Sequence, residues 1–143
     1  MNREPIYQAL FNLVAGMNWN GSTFAFSARR VFTFSNLPSS PAFCQAEHDE
    51  NIIASTNMPS RNTLGASLLF YHTAGLDPAT IPASTTNAML DALDALLDNE
   101  DEGFRQTLGG LVHSAAISGR VFKEHGDLDG QALIIVPIRI LVP

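Results

Sequence analysis

The stretch Gln131-Ala-Leu-Ile-Ile-Val-Pro-Ile-Arg-Ile-Leu-Val142 is apolar in both of its alternating rows. Ala132, Ile134, Val136, Ile138, Ile140 and Val142 make one row; Leu133, Ile135 and Leu141 dominate the other. A strand with one wet face alternates cleanly, whereas one covered on both sides reads as a continuous apolar run. With the segment that begins Gln106-Thr-Leu-Gly-Gly-Leu-Val-His113, it predicts a hairpin of two long strands, about 111–123 and 131–141. A small domain can supply one cover from its own helices. The second cover is expected from another subunit, which points to an assembly protein.

At 143 residues the chain is expected to be one domain, 1–143, around one core. Its 45% apolar and 15% charged residues describe a folded protein with a sparsely charged surface, suited to burying apolar area against a partner. A net charge of −6 argues against a nucleic-acid-binding module, which would carry a basic stripe. The lone Cys44 excludes an internal disulfide and a cysteine-based zinc cage, and fits a chain made in a reducing cytoplasm. No signal peptide is read ahead of the first helical pattern, and no apolar stretch is long enough to span a bilayer.

Ile6, Leu10, Leu13, Val14 and Met17 recur at helical spacing and predict a helix over about 4–17. Phe24, Phe26, Ala28, Arg30, Phe32 and Phe34 alternate as a strand, broken by Asn36-Leu-Pro-Ser-Ser-Pro41. A short strand is expected over 42–48, a loop over 52–61, and a third strand over 62–73. Met89, Ala92, Leu93, Leu96 and Leu97 form the apolar stripe of a second helix, with Asp91, Asp94 and Asp98 opposite. The predicted order is α-β-β-β-α-β-β: an α+β domain, mainly antiparallel sheet, with two helices packed on one face. Pro137 cannot donate to a ladder, so it is expected at a bulge or on the outer side of an edge strand.

No constellation in the sequence requires catalysis. Alternation sends Glu47 and Asp49 to one side of an extended segment and His48 and Glu50 to the other, so this cluster reads as a polar hairpin tip. His125-Gly-Asp127-Leu-Asp129-Gly130 begins like a calcium loop but lacks the third oxygen ligand and the distal glutamate. It reads as a turn. There is no Gly-x-Ser-x-Gly elbow and no phosphate-cradling glycine loop. No catalytic, cofactor or metal site is therefore expected. A small hydrolase or ligand-binding domain using the His48 or His125 region is the alternative from another class, and it requires those residues to converge in a pocket. Arg30 shares its row with four phenylalanines, which suits a stem over aromatic surface, with an inter-subunit ion pair as the other reading. The acidic run Asp98, Glu100, Asp101, Glu102 opposes the dipole at the end of the second helix. It invites a basic partner.

The chain resembles the tail terminator (tail completion) proteins of long-tailed bacteriophages. The likeness is carried by Gln106-Thr-Leu-Gly-Gly-Leu-Val-His113, Ile117-Ser-Gly-Arg120, Gly126 and Gly130-Gln-Ala-Leu-Ile-Ile-Val-Pro-Ile-Arg-Ile-Leu-Val142. Ser27-Ala-Arg-Arg30, Leu37-Pro38 ahead of Pro41-Ala-Phe43, and the late helix at 89–97 fit the same order of elements. The resemblance implies a structural virion subunit that closes into a ring, usually a homohexamer, at the head-proximal end of the tail. The ring would cap the tail tube, end its polymerisation and offer a surface to head or neck connector proteins. DNA would pass through it without sequence-specific binding. A neck or head–tail connector subunit is the alternative within the class, and a bacterial protein of prophage origin a third. Charge and strand placement nominate Arg29, Arg30, Arg120, Lys123 and Arg139, set against Asp98, Glu100, Asp101 and Glu102, as the subunit or tube interface.

Overall fold

The double-sided apolar strand lies inside the sheet. A computed structural model describes residues 1–99 and 103–143, and all described elements belong to one α+β unit. In chain order these are α1 (Arg3–Ala15), β1 (Phe26–Ala28), β2 (Ala42–Ser55), β3 (Met58–Thr73), α2 (Pro82–Leu97), β4 (Ser114–Ile117), β5 (Phe122–Glu124) and β6 (Gln131–Val142). The sheet runs β1-β2-β3-β6-β4, with β5 also paired to β6. All pairings are antiparallel except β1 with β2, which is parallel.

Both helices cover the same face. Ile6, Tyr7, Leu10 and Val14 of α1 and Met89, Leu93 and Leu97 of α2 pack with Phe43, Leu64, Leu68, Phe70, Ile134, Val136 and Ile140 of the sheet. Their spacing is the helical stripe read from the sequence, and the strand residues are alternate ones. Thr86 is the polar member of the α2 stripe, and its hydroxyl meets His72 Nε2 at 3.1 Å. Gln45, also fully enclosed, donates from Nε2 to the Tyr7 carbonyl at 3.0 Å.

Several expectations change. The penultimate strand is two strands, β4 and β5, separated by residues 118–121, so the order gains a strand. This break explains Pro137. The Pro137 carbonyl accepts from the Ser118 amide at 3.1 Å, so its nitrogen faces the side where the chain leaves the ladder at Gly119. No ladder donor is missed, and an interior strand tolerates the proline. Gly119, at φ +117°, passes so close that an added Cβ would lie 3.3 Å from Pro137 Cγ.

The strand expected over 24–34 shrinks to Phe26–Ala28 because the chain then crosses the sheet's second face. Phe32, Phe34 and Leu37 settle there over Ala42, Cys44, Leu69 and Tyr71. The Tyr71 hydroxyl donates to the Phe32 carbonyl at 2.7 Å and fastens this strap. Part of the second cover is therefore intramolecular, where another subunit was expected.

The short strand over 42–48 and the loop over 52–61 are instead one long hairpin, β2–β3, turned at Thr56-Asn57 with Asn57 at φ 62°. The Asn, Ser, Thr, Met and Pro content of residues 52–61 predicts a loop. Cross-strand pairing carries the ladder through it, with a register shift between Ile53 and Ser55.

Candidate assembly surface

The strap covers only the β1–β2–β3 end of the second face. Farther on, Leu133, Ile135, Pro137 and Leu141 of β6 are half-buried, and Phe122 of β5 is 50% exposed. Arg139 lies exposed in the same row, opposite Gly65 on β3 and Ala116 on β4. The result is an apolar strip with one guanidinium, open to solvent in the isolated subunit.

Beside it the β2–β3 hairpin runs past the sheet as an arm. Its last support is the Asn62–Val142 pairing; beyond it residues 53–61 have no third strand among the described residues. At about 3.4 Å per residue the ribbon projects roughly 14 Å. Ile52 is 53% exposed, Ile53 57% and Met58 61%. Ile52 and Ile53 are consecutive, so both faces of the ribbon carry apolar groups. Residues 51–60 contain no charge. A two-stranded ribbon is marginal alone in water, and an uncharged apolar edge invites pairing. A cleft of about 530 Å³ lies at the arm's root, lined by Ile53, Arg61, Thr63, His113, Leu141 and Val142 among others. The arm was the feature sequence reading missed; the adjacent Ile52-Ile53 inside a polar stretch was its one signal.

The nominated charges fall into separate groups. Arg29 is held inside its own chain by Glu4 and Glu47, with Gln8 Oε1 at 3.0 Å, and its side chain is 20% exposed. These hydrogen bonds, the one to Glu4 foremost, hold its pKa above the ordinary value. Arg30 lies 5.2 Å from the centre of the Phe32 ring, a cation–π contact within the strap. Arg120, Lys123 and Arg139 are exposed, and the ion pairs among the described residues do not include them. Asp98 caps the C-terminus of α2 and is exposed; Glu100, Asp101 and Glu102 lie outside the described residues. Burial first, then Asp98 and Asp91, push the Asp94 carboxyl upward. This end of α2 is therefore self-repelling.

No family model matches this sequence. Nor does any curated protein match it.

His48 and His125 do not converge. His48 sits on the second face with Nε2 2.5 Å from Ser67 Oγ, while His125 lies in the β5–β6 connection. His72 is 4% exposed, and burial, then the nearby His125, lowers its pKa. Cys44 is fully enclosed under the strap; burial raises its thiol pKa and pushes Tyr71 up to about 12. Among the described residues no group of three His, Cys, Asp or Glu side chains could hold a metal ion. Among the same residues no helix is long and apolar enough to cross a membrane.

Proposed function

We propose that this chain is a ring-forming structural subunit of the tail-terminator type, placed in the virion at the head-proximal end of a phage tail. The observation that carries the reading is the β2–β3 arm, with Ile52, Ile53 and Met58 exposed, beside a half-covered apolar strip. A lone domain keeps such surfaces small, whereas a subunit meeting two neighbours needs them. An ordinary interface hides about 800 Å² per partner, so two of them would occupy about a fifth of this subunit's 8067 Å². The resemblance of the C-terminal third to tail terminators supplies the biological setting. In that setting the ring would offer the last tube ring the contacts that the tube itself uses, and leave no growing surface on its far side.

The test is the mass of the purified chain by light scattering over a concentration series, with imaging of each peak and with tail tubes added. Rings of about six subunits that bind tubes, preformed or assembled only on them, support the proposal. A monomer that ignores tubes refutes it.

A hydrolytic reading rests on one contact, His48 with Ser67, which has the reach of a base on a nucleophile. Ser67 is 8% exposed, and neither residue lines the cleft on this face. Labelling of Ser67 by a fluorophosphonate probe would favour this reading; an unlabelled Ser67 removes it.

A further inference from the structure

The two ends of the sheet are open and differ in chemistry. β1 pairs with β2 only over Ala42–Cys44, so the β2 edge from residue 45 to 55 has no partner strand among the described residues. Its charged groups are Glu47, Asp49 and Glu50. Arg29 and Arg3 hold Glu47 and Glu50, leaving Asp49 outside the ion pairs of the described residues. At the other end β5 pairs with β6 on one side, and no described strand lies on its other side. There Arg120 and Lys123 are exposed and outside those ion pairs, and Phe122 is half exposed. Glu124 turns its carboxylate to the Gly126 amide of its own loop, at 3.2 Å.

We infer that the β2 edge and arm of one copy of this chain pair with the β5 edge of the next, in a head-to-tail contact. The occupant is a second copy because one chain carries both halves, acidic and apolar on one edge, basic and aromatic on the other. Alternation in β5 sends Lys123 toward the helix side of the sheet and Phe122 toward the second face. On β2 a register shift between Glu47 and Glu50 overrides the strict alternation expected of this cluster, so both are on the helix side, with His48 and Ile53 on the second face. Continuing the sheet therefore sets lysine beside carboxylates and phenylalanine beside isoleucine and imidazole. Pairing two β2 edges along their whole length would instead oppose carboxylates, which is unfavourable. Two different edges per subunit make a heterologous contact that either closes into a ring or grows without end. The inference rests on the ring-forming reading and specifies its interface.

Reciprocal charge reversal tests it. One variant carries Asp49→Lys and Ala54→Lys on the β2 edge; the other carries Arg120→Glu and Lys123→Glu beside β5. All four positions are exposed. Each variant alone is expected to need at least about tenfold more protein to assemble, because like charges then face each other. Mixed in equal amounts they should recover the wild-type mass, since each basic edge meets an acidic one. Circular dichroism and melting check the folds; if a reversed chain melts early, Asp49→Asn and Arg120→Gln/Lys123→Gln make the same comparison. Assembly of the second variant at wild-type concentration overturns the inference. So does a mixture that stays monomeric, or loss confined to the first variant, which would indicate arm-to-arm dimers. Wild-type rings that ignore tail tubes would sink the capping function and leave this interface standing.

Discussion

Two neighbouring isoleucines on β6 separate the closed face of the sheet from the open one. Ile134 is fully buried beneath the helices, whereas Ile135, the next residue, is half-buried on the second face. Ile134→Ala removes three carbons from the core, worth about 2.4 kcal/mol in transfer, and leaves a cavity; the total is about 3–4 kcal/mol. At about 3 °C per kcal/mol for a chain of this size, the melting temperature should fall by about 10 °C. Ile135→Ala removes the same atoms from a site that water already reaches, so it should cost about 1–1.5 kcal/mol, or about 4 °C, in dilute protein. Association would cover the rest of Ile135. Its loss should then weaken assembly by about fivefold, which is about 1 kcal/mol of further burial. Melting and light scattering at low and high concentration read both quantities. The reasoning is refuted if Ile135→Ala costs as much as Ile134→Ala in dilute protein, or if its effect does not depend on concentration.

Three further outcomes are expected. Tyr71→Phe deletes the hydroxyl that fastens the strap, costing about 1 kcal/mol and speeding modification of Cys44 by a thiol reagent; an unchanged rate would mean the strap is held elsewhere. Gly119→Ala forces a side chain onto Pro137 at positive φ and should cost about 1–3 kcal/mol in urea unfolding, with a neutral result excluding the close approach. His72 has a folded pKa below its unfolded one, so the unfolded chain takes up the proton first on acidification. Its contribution is complete above the model-peptide value of 6.5 and is lost as pH falls through the folded pKa, a dependence His72→Gln should flatten.

Helical stripes are legible because three or four apolar residues repeat at one spacing in each helix; Ile6, Leu10, Val14, Met89, Leu93 and Leu97 are buried, Leu13, Ala92 and Leu96 only partly, and Tyr7 and Thr86 join them. β6 was legible as doubly apolar, but not as interior, because pairing order depends on distant partners. The first strand was overextended because the alternation of Phe24 to Phe34 continues past Ala28. Phe32 and Phe34 are partly buried by lying across the sheet, and period alone cannot tell that from lying in it. The arm was lost to its loop-like composition. Arg29 was nominated for a neighbour because sequence cannot show that Glu4 and Glu47 reach it first.

The position of β6 in the chain bears on how the protein is made. It is the middle rung between β3 and the β4–β5 pair, yet it follows all of them in the chain. A nascent chain that has released β1 through β5 has two helices with half a floor, and β3 has no neighbour on one side. Folding must wait for β6 to emerge, and closing such distant pairings is slow. Until then the apolar sides of β3 and both helices stay exposed on the ribosome, and a chaperone that holds such surfaces has its longest opportunity here.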